Sequence, residues 1–431
     1  MTPAPRALCL ELLLRQCVAG QYANLTLDSA LGREGGMSPA DKALCTALFY
    51  GVIEHRITLD YIIDSLSALP PSSIEERVRM ILRQGLCQLL YFDRVPDHAA
   101  INEAVELCPR RSKGFVNALL RSFCRQGKQV QLPHPQSHPM DYLSVRYSVP
   151  VELAEAFCRG YGFTRAESLL RAFSRTPDVT VRVNTLRATR EEFIARHGGT
   201  PTVIAPHGVR FETAEGLAEA LATGECFVQD EASQICTEAV GAHAGERVLD
   251  LCAAPGSKSF GMALSMQNAG EVASFDLHEN KLSLIRRGAQ RLGLSVITAR
   301  AADARTATPL VLGTFDRVLC DVPCSGYGVL AKKPDIRYKD VAAAEGLLPI
   351  QAAILDRAAD CVREGGLLVY STCTLLPAEN EEQVRAFLAR HSDFEPEPFT
   401  VGGVPFDGMV TLAPDTHQTD GFFVARLRKR G

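Results

Sequence analysis

Hydrophobic residues recur at helical spacing through residues 1–135. Ser38 followed by Pro39 predicts a helix start, because serine accepts a hydrogen bond from first-turn amides and proline suits the first helical position. Ser73 is expected to cap another helix whose first turn is acidic. Two further helices are predicted over residues 97–107 and 113–124. Because no alternating strand pattern interrupts this region, we expect an all-helical bundle.

The pattern changes at residues 132–139, a proline-rich stretch typical of a semi-rigid connector. Between residues 138 and 233, helical segments mix with short strands. The clearest strand covers Val179–Asn184, where valines alternate with polar residues. We therefore expect a small α+β domain in this part of the chain.

From residue 234 onward, short apolar runs alternate with helical segments. The runs cover residues 248–251, 271–276, 296–300, 315–321 and 366–371. Such runs are typical of buried parallel strands, and repeated strand–helix units predict a doubly wound, Rossmann-like α/β sheet. Residues 421–427 are predicted to form a final edge strand. The sequence thus predicts a multidomain chain: an all-α bundle over 1–137, an α+β domain over 138–233 and an α/β domain over 234–431.

Composition and charge limit which partners, metals and cellular compartment the chain is expected to have. The formal net charge is -4, so a nucleic-acid partner would have to bind a local basic patch. The 14 cysteines show neither Cys-x-x-Cys nor zinc-type spacing. Neither an export signal nor a membrane-length apolar run is evident, so we expect a cytoplasmic protein with free thiols, no metal and no membrane span. Nothing indicates a dimer interface, and we expect a monomer.

Acidic residues stand at or near the ends of four predicted strands: Asp250, Asp276, Asp303 and Asp321. Ligands of doubly wound sheets bind at the carboxyl ends of the strands. Asp276 is placed to accept hydrogen bonds from ribose hydroxyls, and Asp303 from an adenine amino group. One such acid would more often be a turn residue or a helix cap, but four at this register favour a ligand site.

The loop after the first of these strands is built from small residues, which let the backbone approach a ligand closely. It comprises Cys252, Ala253, Ala254, Pro255, Gly256, Ser257 and Lys258. It matches neither of the glycine-rich loops that hold nucleotide phosphates. An adenosyl ligand without phosphates fits both features, and S-adenosylmethionine is the expected cofactor.

Two cysteines follow strands at the same edge, Cys324 after the fourth strand and Cys373 after the fifth. A lone cysteine is more often a small buried hydrophobe, but this pair favours chemistry. Carbon 5 of cytosine is a poor nucleophile, and attack of a thiolate at carbon 6 makes it reactive enough to take a methyl group. A second group is then needed to move a proton or to release the product.

These motifs resemble the RNA (cytosine-5)-methyltransferase family of the Sun or NOL/NSUN type. The matching segments are 250–256, 321–326, 371–374 and 419–423, and residues 227–233 look like the segment before the family's catalytic domain. The resemblance implies that Cys373 is the nucleophile and that Cys324 assists release of the methylated product. It also implies that Gly256 and Lys258 of the loop line the cofactor pocket together with Asp276, Asp303 and Asp321, and that Asp321 also lies near the target base. Ser257 departs from the family, which usually has a second glycine there.

Residues 100–107 and 113–121 resemble the antitermination factor NusB. A NusB-like domain joined to this catalytic domain is the layout of the bacterial 16S rRNA methyltransferases called RsmB, Sun or Fmu. The resemblance implies methylation of one cytosine of 16S rRNA. Residues 182–185 also look like the family's small RNA-recognition-like domain.

Six basic residues without an intervening acid could follow an RNA backbone, or could equally be a solvated helix face: Arg110, Arg111, Lys113, Arg121, Arg125 and Lys128. Lys113, Arg121 and Arg182 are candidate RNA contacts through the resemblance. Because Cys373 cannot reach a stacked and paired base, we expect an unpaired or flipped target cytosine.

Other functions remain possible on the sequence alone. An amino-group methyltransferase would typically carry Pro-Pro-Tyr where this chain has Pro323-Cys324, and would have no use for Cys373. A DNA cytosine methyltransferase would leave the Cys373 segment unexplained. A third alternative is a methyltransferase acting on tRNA or another RNA, and a fourth is an rRNA-binding assembly factor without catalysis.

Overall fold

The computed structural model describes residues 4–19, 23–33 and 36–431, without the side chains of residues 17–19, 23–25 and 311. The chain forms two compact units. One comprises residues 1–159 with 333–338, and the other residues 160–332 with 339–431. Within the described ranges, no helix combines the length and apolarity that crossing a membrane requires.

Every secondary-structure element among the described residues of the first unit is a helix, as predicted. Its helices are α1 (Pro5–Ala19), α2 (Ala23–Arg33), α3 (Pro39–Glu54), α4 (Arg56–Leu66), α5 (Glu76–Tyr91), α6 (Asp97–Leu107), α7 (Lys113–Arg125), α8 (Pro139–Tyr147) and α9 (Val151–Tyr161), the last of which runs into the second unit. Ser38 caps α3 as predicted, since its hydroxyl accepts a hydrogen bond from the Asp41 amide.

The predicted cap at Ser73 is wrong. Residues Pro71–Ser73 form a separate 3-10 turn, closed by a bond from the Ser73 amide to the Pro70 carbonyl. Helix α5 begins only at Glu76, with Glu75 in the cap position and no side-chain cap. Pro70 and Pro71 begin the 3-10 turn, and α5 therefore begins only after this turn has ended.

Helix α5 is the centre of the bundle, because it is buried over most of its length. Two of its buried residues are arginines. Arg83 binds both carboxylate oxygens of Asp60 in α4, at 2.8 and 2.9 Å, and Arg79 binds Asp60 and Asp64. These pairs satisfy the buried charges, so the helix can present polar residues to the interior.

The second unit begins with a small antiparallel sheet and its helices. The elements are α10 (Phe163–Phe173), β1 (Val179–Val183), α11 (Arg190–His197), β2 (Thr200–Pro201), β3 (Gly208–Phe211), α12 (Ala218–Thr223) and β4 (Cys226–Val228). The strand order is β2-β3-β1-β4. The predicted strand over residues 179–184 is confirmed as β1. The predicted domain boundaries after residues 137 and 233 stay predictions.

The large sheet of this unit carries the predicted α/β pattern. Its elements are α13 (Glu231–Val240), β5 (Arg247–Asp250), α14 (Ser257–Ser265), β6 (Glu271–Asp276), α15 (Glu279–Leu292), β7 (Ile297–Ala301), α16 (Pro309–Leu312), β8 (Phe315–Asp321), α17 (Leu348–Asp360), β9 (Val362–Thr372), α18 (Glu381–Arg390), β10 (Phe394–Pro396), β11 (Phe399–Val401), β12 (Val404–Phe406), β13 (Met409–Leu412) and β14 (Phe422–Lys429). Strands β5 to β9 are parallel and adjacent in the order β9-β8-β5-β6-β7. All five predicted strands are therefore confirmed.

The prediction of an edge strand at the end of the chain is wrong. Strand β14 lies inside the sheet, antiparallel to β9 on one side and paired with β10 and β13 on the other. Its side chains Phe423–Ala425 are buried, which fits a central strand better than an edge. Because β14 runs antiparallel, its first residues lie beside the carboxyl end of β9, where Phe423 pairs with Thr372.

Candidate active site

The predicted site residues of the second unit lie at or after the ends of five neighbouring parallel strands. The loop 252–258 follows β5, Asp276 ends β6, Asp303 follows β7, and Cys324 and Cys373 follow β8 and β9. Carboxyl ends of adjacent parallel strands meet at one edge of a sheet, the usual ligand edge of such folds. The fold thus brings the loop, the two acids and the two cysteines to the same edge of the large sheet.

The loop 252–258 is attached to the end of β6. The Ala253 amide donates to the Phe275 carbonyl at 2.7 Å, and the Ala254 amide donates to Oδ2 of Asp276 at 3.3 Å. Gly256 has a φ of 114°, a conformation that favours glycine, and a Cβ there would lie 2.6 Å from the Phe260 ring. Gly256 therefore has a steric reason to be glycine.

Two of the acids have local partners. Asp276 is largely buried, and its Oδ1 accepts from the His278 amide at 3.0 Å. Asp303 caps a short 3-10 turn, and both of its oxygens accept from Arg305, which lowers the pKa of the Asp303 carboxyl. The predicted adenine contact of Asp303 stays a prediction, and it would have to coexist with this ion pair.

Lys258 and Asp321 form a partly buried ion pair. The Lys258 ammonium lies 2.7 Å from Oδ2 of Asp321 and 4.9 Å from the centre of the Phe422 ring, while Ser371 donates to Oδ1 of Asp321 at 2.8 Å. Burial alone would lower the pKa of Lys258, but the Asp321 carboxylate outweighs it and the pKa is raised. Negative charge on Cys373 contributes in the same direction. Lys258 is thus a cation whose charge is already balanced, which disfavours a phosphate ligand.

The two cysteines contact each other. Their Sγ atoms are 3.4 Å apart, and both side chains are partly exposed. The hydrogen bond to Cys373, followed by burial, raises the pKa of Cys324 well above its ordinary value. Cys324 therefore stays a thiol, and it can donate its proton toward the Cys373 sulfur.

A buried carboxylate holds the two cysteine loops together. Glu379 is 1% exposed and accepts from the Ser325 amide at 2.9 Å, the Ser325 hydroxyl at 2.5 Å and the Gln351 amide at 2.8 Å. Ser325 also bonds Thr374, next to Cys373. Because Ser325 follows Cys324 and Thr374 follows Cys373, this network fixes the separation of the two sulfur atoms.

Close backbone contacts join the same loops to the start of β14. The Gly328 amide donates to the Cys373 carbonyl at 2.9 Å, and the Gly421 amide donates to the Gly328 carbonyl at 2.7 Å. A methyl group on Gly328 would overlap the Gly421 carbonyl and lie 2.7 Å from the Cys373 carbonyl oxygen. Only glycine fits this three-way contact.

Sequence reasoning missed the supporting residues of this site. Gly328 follows Cys324 in the sequence, and Glu379 follows Cys373, each by only a few positions. A carboxylate so close to the end of a predicted strand could have indicated that Glu379 belongs to the site. Its partner Ser325 is fixed only by the fold. Among the described residues, no group of three or more His, Cys, Asp and Glu side chains could hold a metal ion.

The RNA-contact candidates lie in different environments. Arg182 in β1 has no exposed surface, and its guanidinium donates to Glu238 at 2.6 Å. This contradicts its prediction as an RNA contact, because a buried and paired arginine supports packing instead. Lys113 and Arg121, at the start and middle of α7, are accessible at the surface and bind Glu106 and Asn117. Their RNA contacts stay predictions.

Asp250 carries a stability prediction of its own. It is buried, and its Oδ2 accepts from Ser259 at 2.6 Å. Burial raises its pKa from 3.8 to about 7, with the Ser259 bond partly opposing this. The folded protein thus holds this proton more tightly than the unfolded chain, so stability is lost as pH rises from 3.8 to about 7.

The side chain introduced by Asp250→Asn stays neutral at every pH, so we expect this variant not to lose stability as the pH rises. The free energy of unfolding of the variant relative to wild type should increase with pH across that window, by at most about 4 kcal/mol. Denaturant unfolding between pH 4 and 8 measures it. Asp303→Asn is the matched control: because the pKa of Asp303 is lowered from 3.8, its contribution to stability changes only below that pH, and its curve should parallel that of wild type between pH 4 and 8. Parallel curves for wild type and Asp250→Asn would contradict the prediction.

Comparison with known proteins gives two family matches. Residues 238–428 match the family described as 16S rRNA methyltransferase RsmB/F, and residues 4–125 match the NusB family. The chain is 37% identical to the probable ribosomal RNA small subunit methyltransferase B of Bacillus subtilis, over 99% of both chains. It is also 37% identical to the protein of the same name from Synechocystis, over 95% of both. Among solved structures, PH0851 is similar over 100% of both chains, with a TM-score of 0.77 and 24% identity, which supports the fold alone.

Proposed function

Because the chain belongs to the RsmB family of ribosomal RNA small subunit methyltransferases, we propose that it methylates carbon 5 of an unpaired cytosine in 16S rRNA through a covalent adduct with Cys373. The substrate rests on the names of the relatives, which cover nearly the whole chain. The adduct rests on one observation above all, the 3.4 Å contact of the Cys324 and Cys373 sulfur atoms at the ligand edge.

The reaction begins at the Cys373 sulfur. As a thiolate it adds to carbon 6 of the cytosine, forming a carbon–sulfur bond and moving the electron pair of the 5,6 double bond toward carbon 5. S-adenosylmethionine, when bound, supplies the sulfonium methyl group for carbon 5. Loss of the carbon 5 proton and cleavage of the carbon–sulfur bond then restore the ring and the thiolate.

Cys324 acts in the last step. Its raised pKa makes it a poor base for the carbon 5 proton but keeps its thiol as a hydrogen-bond donor beside Cys373. A donor at that position stabilises negative charge on the departing sulfur. We therefore assign Cys324 to release of the methylated product.

The residues of the cofactor edge fit an adenosyl ligand without phosphates. Asp276 is placed to accept from ribose hydroxyls at the end of β6, and the backbone of the loop 252–258 can approach the ligand closely because its residues are small. The only cation of the loop, Lys258, is neutralised by Asp321. We propose that this edge holds S-adenosylmethionine.

The test uses the full chain, S-adenosylmethionine and 16S rRNA that lacks the modification. Nuclease digestion and mass spectrometry should find one 5-methylcytosine. A short RNA with the target in a loop should be methylated much faster than its fully paired counterpart, because extruding a paired base costs a few kcal/mol. Equal rates would contradict the unpaired target, and a methyl group on an exocyclic amine would favour the amino-group alternative. Binding of S-adenosylhomocysteine without transfer to any RNA would favour an assembly factor.

Gly328 provides a test of loop geometry. Gly328→Ala should displace the Cys373 loop, and we expect kcat to fall about a hundredfold, as misplacement of reacting groups by about 1 Å typically causes. Affinity for S-adenosylhomocysteine, measured by calorimetry, should change little. Gly346→Ala is the control, because nothing lies near the added methyl group. Wild-type kcat in Gly328→Ala would show that the contact does not position Cys373.

A further inference from the structure

A cavity of about 190 Å³ lies in the second unit, and none of the residues 252–258 lines it. Its wall combines the end of α10, the start of β1, the segment after Leu330 and the loop before β14. The lining includes the buried ring of Phe173, the hydroxyls of Thr180 and Thr419, and the cations Arg175, Arg210 and Lys332. Ligand pockets for drug-sized molecules typically exceed about 300 Å³, so this cavity fits a smaller planar group.

The three cations that line the cavity differ in whether they form ion pairs. Lys332 lies 2.5 Å from Asp230 and 2.9 Å from Asp420, and Arg210 forms an ion pair with the buried Glu231. Arg175 is exposed, and its guanidinium has no ion pair within the described part of the chain. The lining also includes the exposed Asp178, so its three cations and three acids balance, and the cavity as a whole does not attract an ion. Arg175 nevertheless leaves one guanidinium available to a single phosphate.

The cavity shares chain segments with the candidate active site. Lys332 ends the segment that begins at Cys324, and Asp420 precedes Gly421, which bonds Gly328. The Lys332–Asp420 ion pair joins these two segments at the cavity wall. A group bound in the cavity therefore contacts the same two segments that hold the cysteine loops.

We propose that this cavity binds one unpaired nucleotide of the RNA substrate other than the target cytosine, with its base inside the cavity and its phosphate at Arg175. This inference rests on the proposed function. Unpaired RNA bases are recognised by aromatic contacts and by hydrogen bonds to their edges. The cavity offers the Phe173 side chain for packing and the Thr180 hydroxyl for a hydrogen bond, while the Thr419 hydroxyl donates to the Asp420 carbonyl and can only accept from a base. A free phosphate or an acidic peptide fits less well, because the acids Asp230 and Asp420 form part of the wall.

The test measures binding of the full chain to 16S rRNA that lacks the modification, at several salt concentrations and without cofactor. Arg175→Ala should raise Kd about tenfold and reduce the slope of log Kd against log salt concentration by about one. Ala172→Phe, which fills the cavity from α10, should also raise Kd but leave that slope unchanged. Arg171→Ala, one turn away outside the cavity, is the matched control, and Arg175→Lys should keep the wild-type slope.

The outcomes separate the two proposals. Wild-type Kd in both Arg175→Ala and Ala172→Phe overturns the nucleotide site. A loss with Arg175→Ala alone overturns the base inside the cavity and leaves a phosphate contact at the rim. If wild type binds RNA but transfers no methyl group, the proposed function fails, while weaker binding in both variants still supports the cavity. Thermal unfolding and S-adenosylhomocysteine binding, unchanged in every variant, exclude misfolding as the cause of a loss.

Discussion

Cys373→Ala is expected to abolish methyl transfer to 16S rRNA and to form no covalent protein–RNA adduct. The variant loses the sulfur that adds to carbon 6, so carbon 5 never becomes nucleophilic, and the rate should fall by at least about four orders of magnitude. Radiolabelled methyl transfer measures the rate, and a denaturing gel measures the adduct. Affinity for S-adenosylhomocysteine should remain, because the cofactor edge lies on β5 to β8.

The control for Cys373→Ala is a cysteine outside the site. Cys361 is buried directly before β9, at the opposite end of that strand from Cys373, so Cys361→Ala should cost some stability and little activity. If Cys373→Ala still produced 5-methylcytosine, the nucleophile would be misassigned and Cys324 would become the candidate.

Cys324→Ala is expected to accumulate the covalent adduct instead. The variant keeps the Cys373 sulfur but lacks the thiol that lies 3.4 Å from it, so the departing thiolate has no donor. We expect a protein–RNA band that survives denaturation, together with loss of multiple turnover. Time courses of adduct and of free 5-methylcytosine-containing RNA, followed on the same gel, measure both effects.

Cys324→Ser separates the donor role from a role in packing. A hydroxyl can still donate toward Cys373, so the serine variant should release product faster than the alanine variant. Equal adduct in both variants would show that donation is not the function of Cys324. Absence of any adduct in Cys324→Ala would mean that Cys324 takes part in its formation.

Most of the strands that carry the site could be predicted because they are short, largely buried apolar runs, whereas β7 lies at the edge of the sheet and is mostly exposed or half-buried. The runs ending at Asp276 and Asp321 coincide with β6 and β8. Local capping was less predictable, since Ser38 caps α3 whereas Ser73 belongs to a 3-10 turn. The place of β14 was also missed, because nothing in an apolar run of residues 421–427 states which strand it pairs with.

The remaining differences between the predictions and the structure arise from contacts between residues far apart in the sequence. Arg182 is charged and lies in a motif that suggested RNA, but Glu238, 56 residues away, pairs with it in the interior. Glu379 is an ordinary acid in the sequence, and only the fold brings Ser325 and Gln351 to it. A sequence lists the charges of a chain, but burial and pairing depend on residues far apart.

The sequence by itself determined the helical first unit, the parallel strands and the residue types at their ends, because hydrophobic periodicity and strand-end chemistry are local properties. It also determined that two cysteines would share one edge of the sheet. Only the tertiary structure decided that their sulfur atoms lie 3.4 Å apart, that Lys258 is neutralised by Asp321, and that Gly328 meets Gly421 and the Cys373 carbonyl. Distances and burial are set by packing between segments remote in sequence, and they in turn set which thiol is the donor and which arginine is accessible.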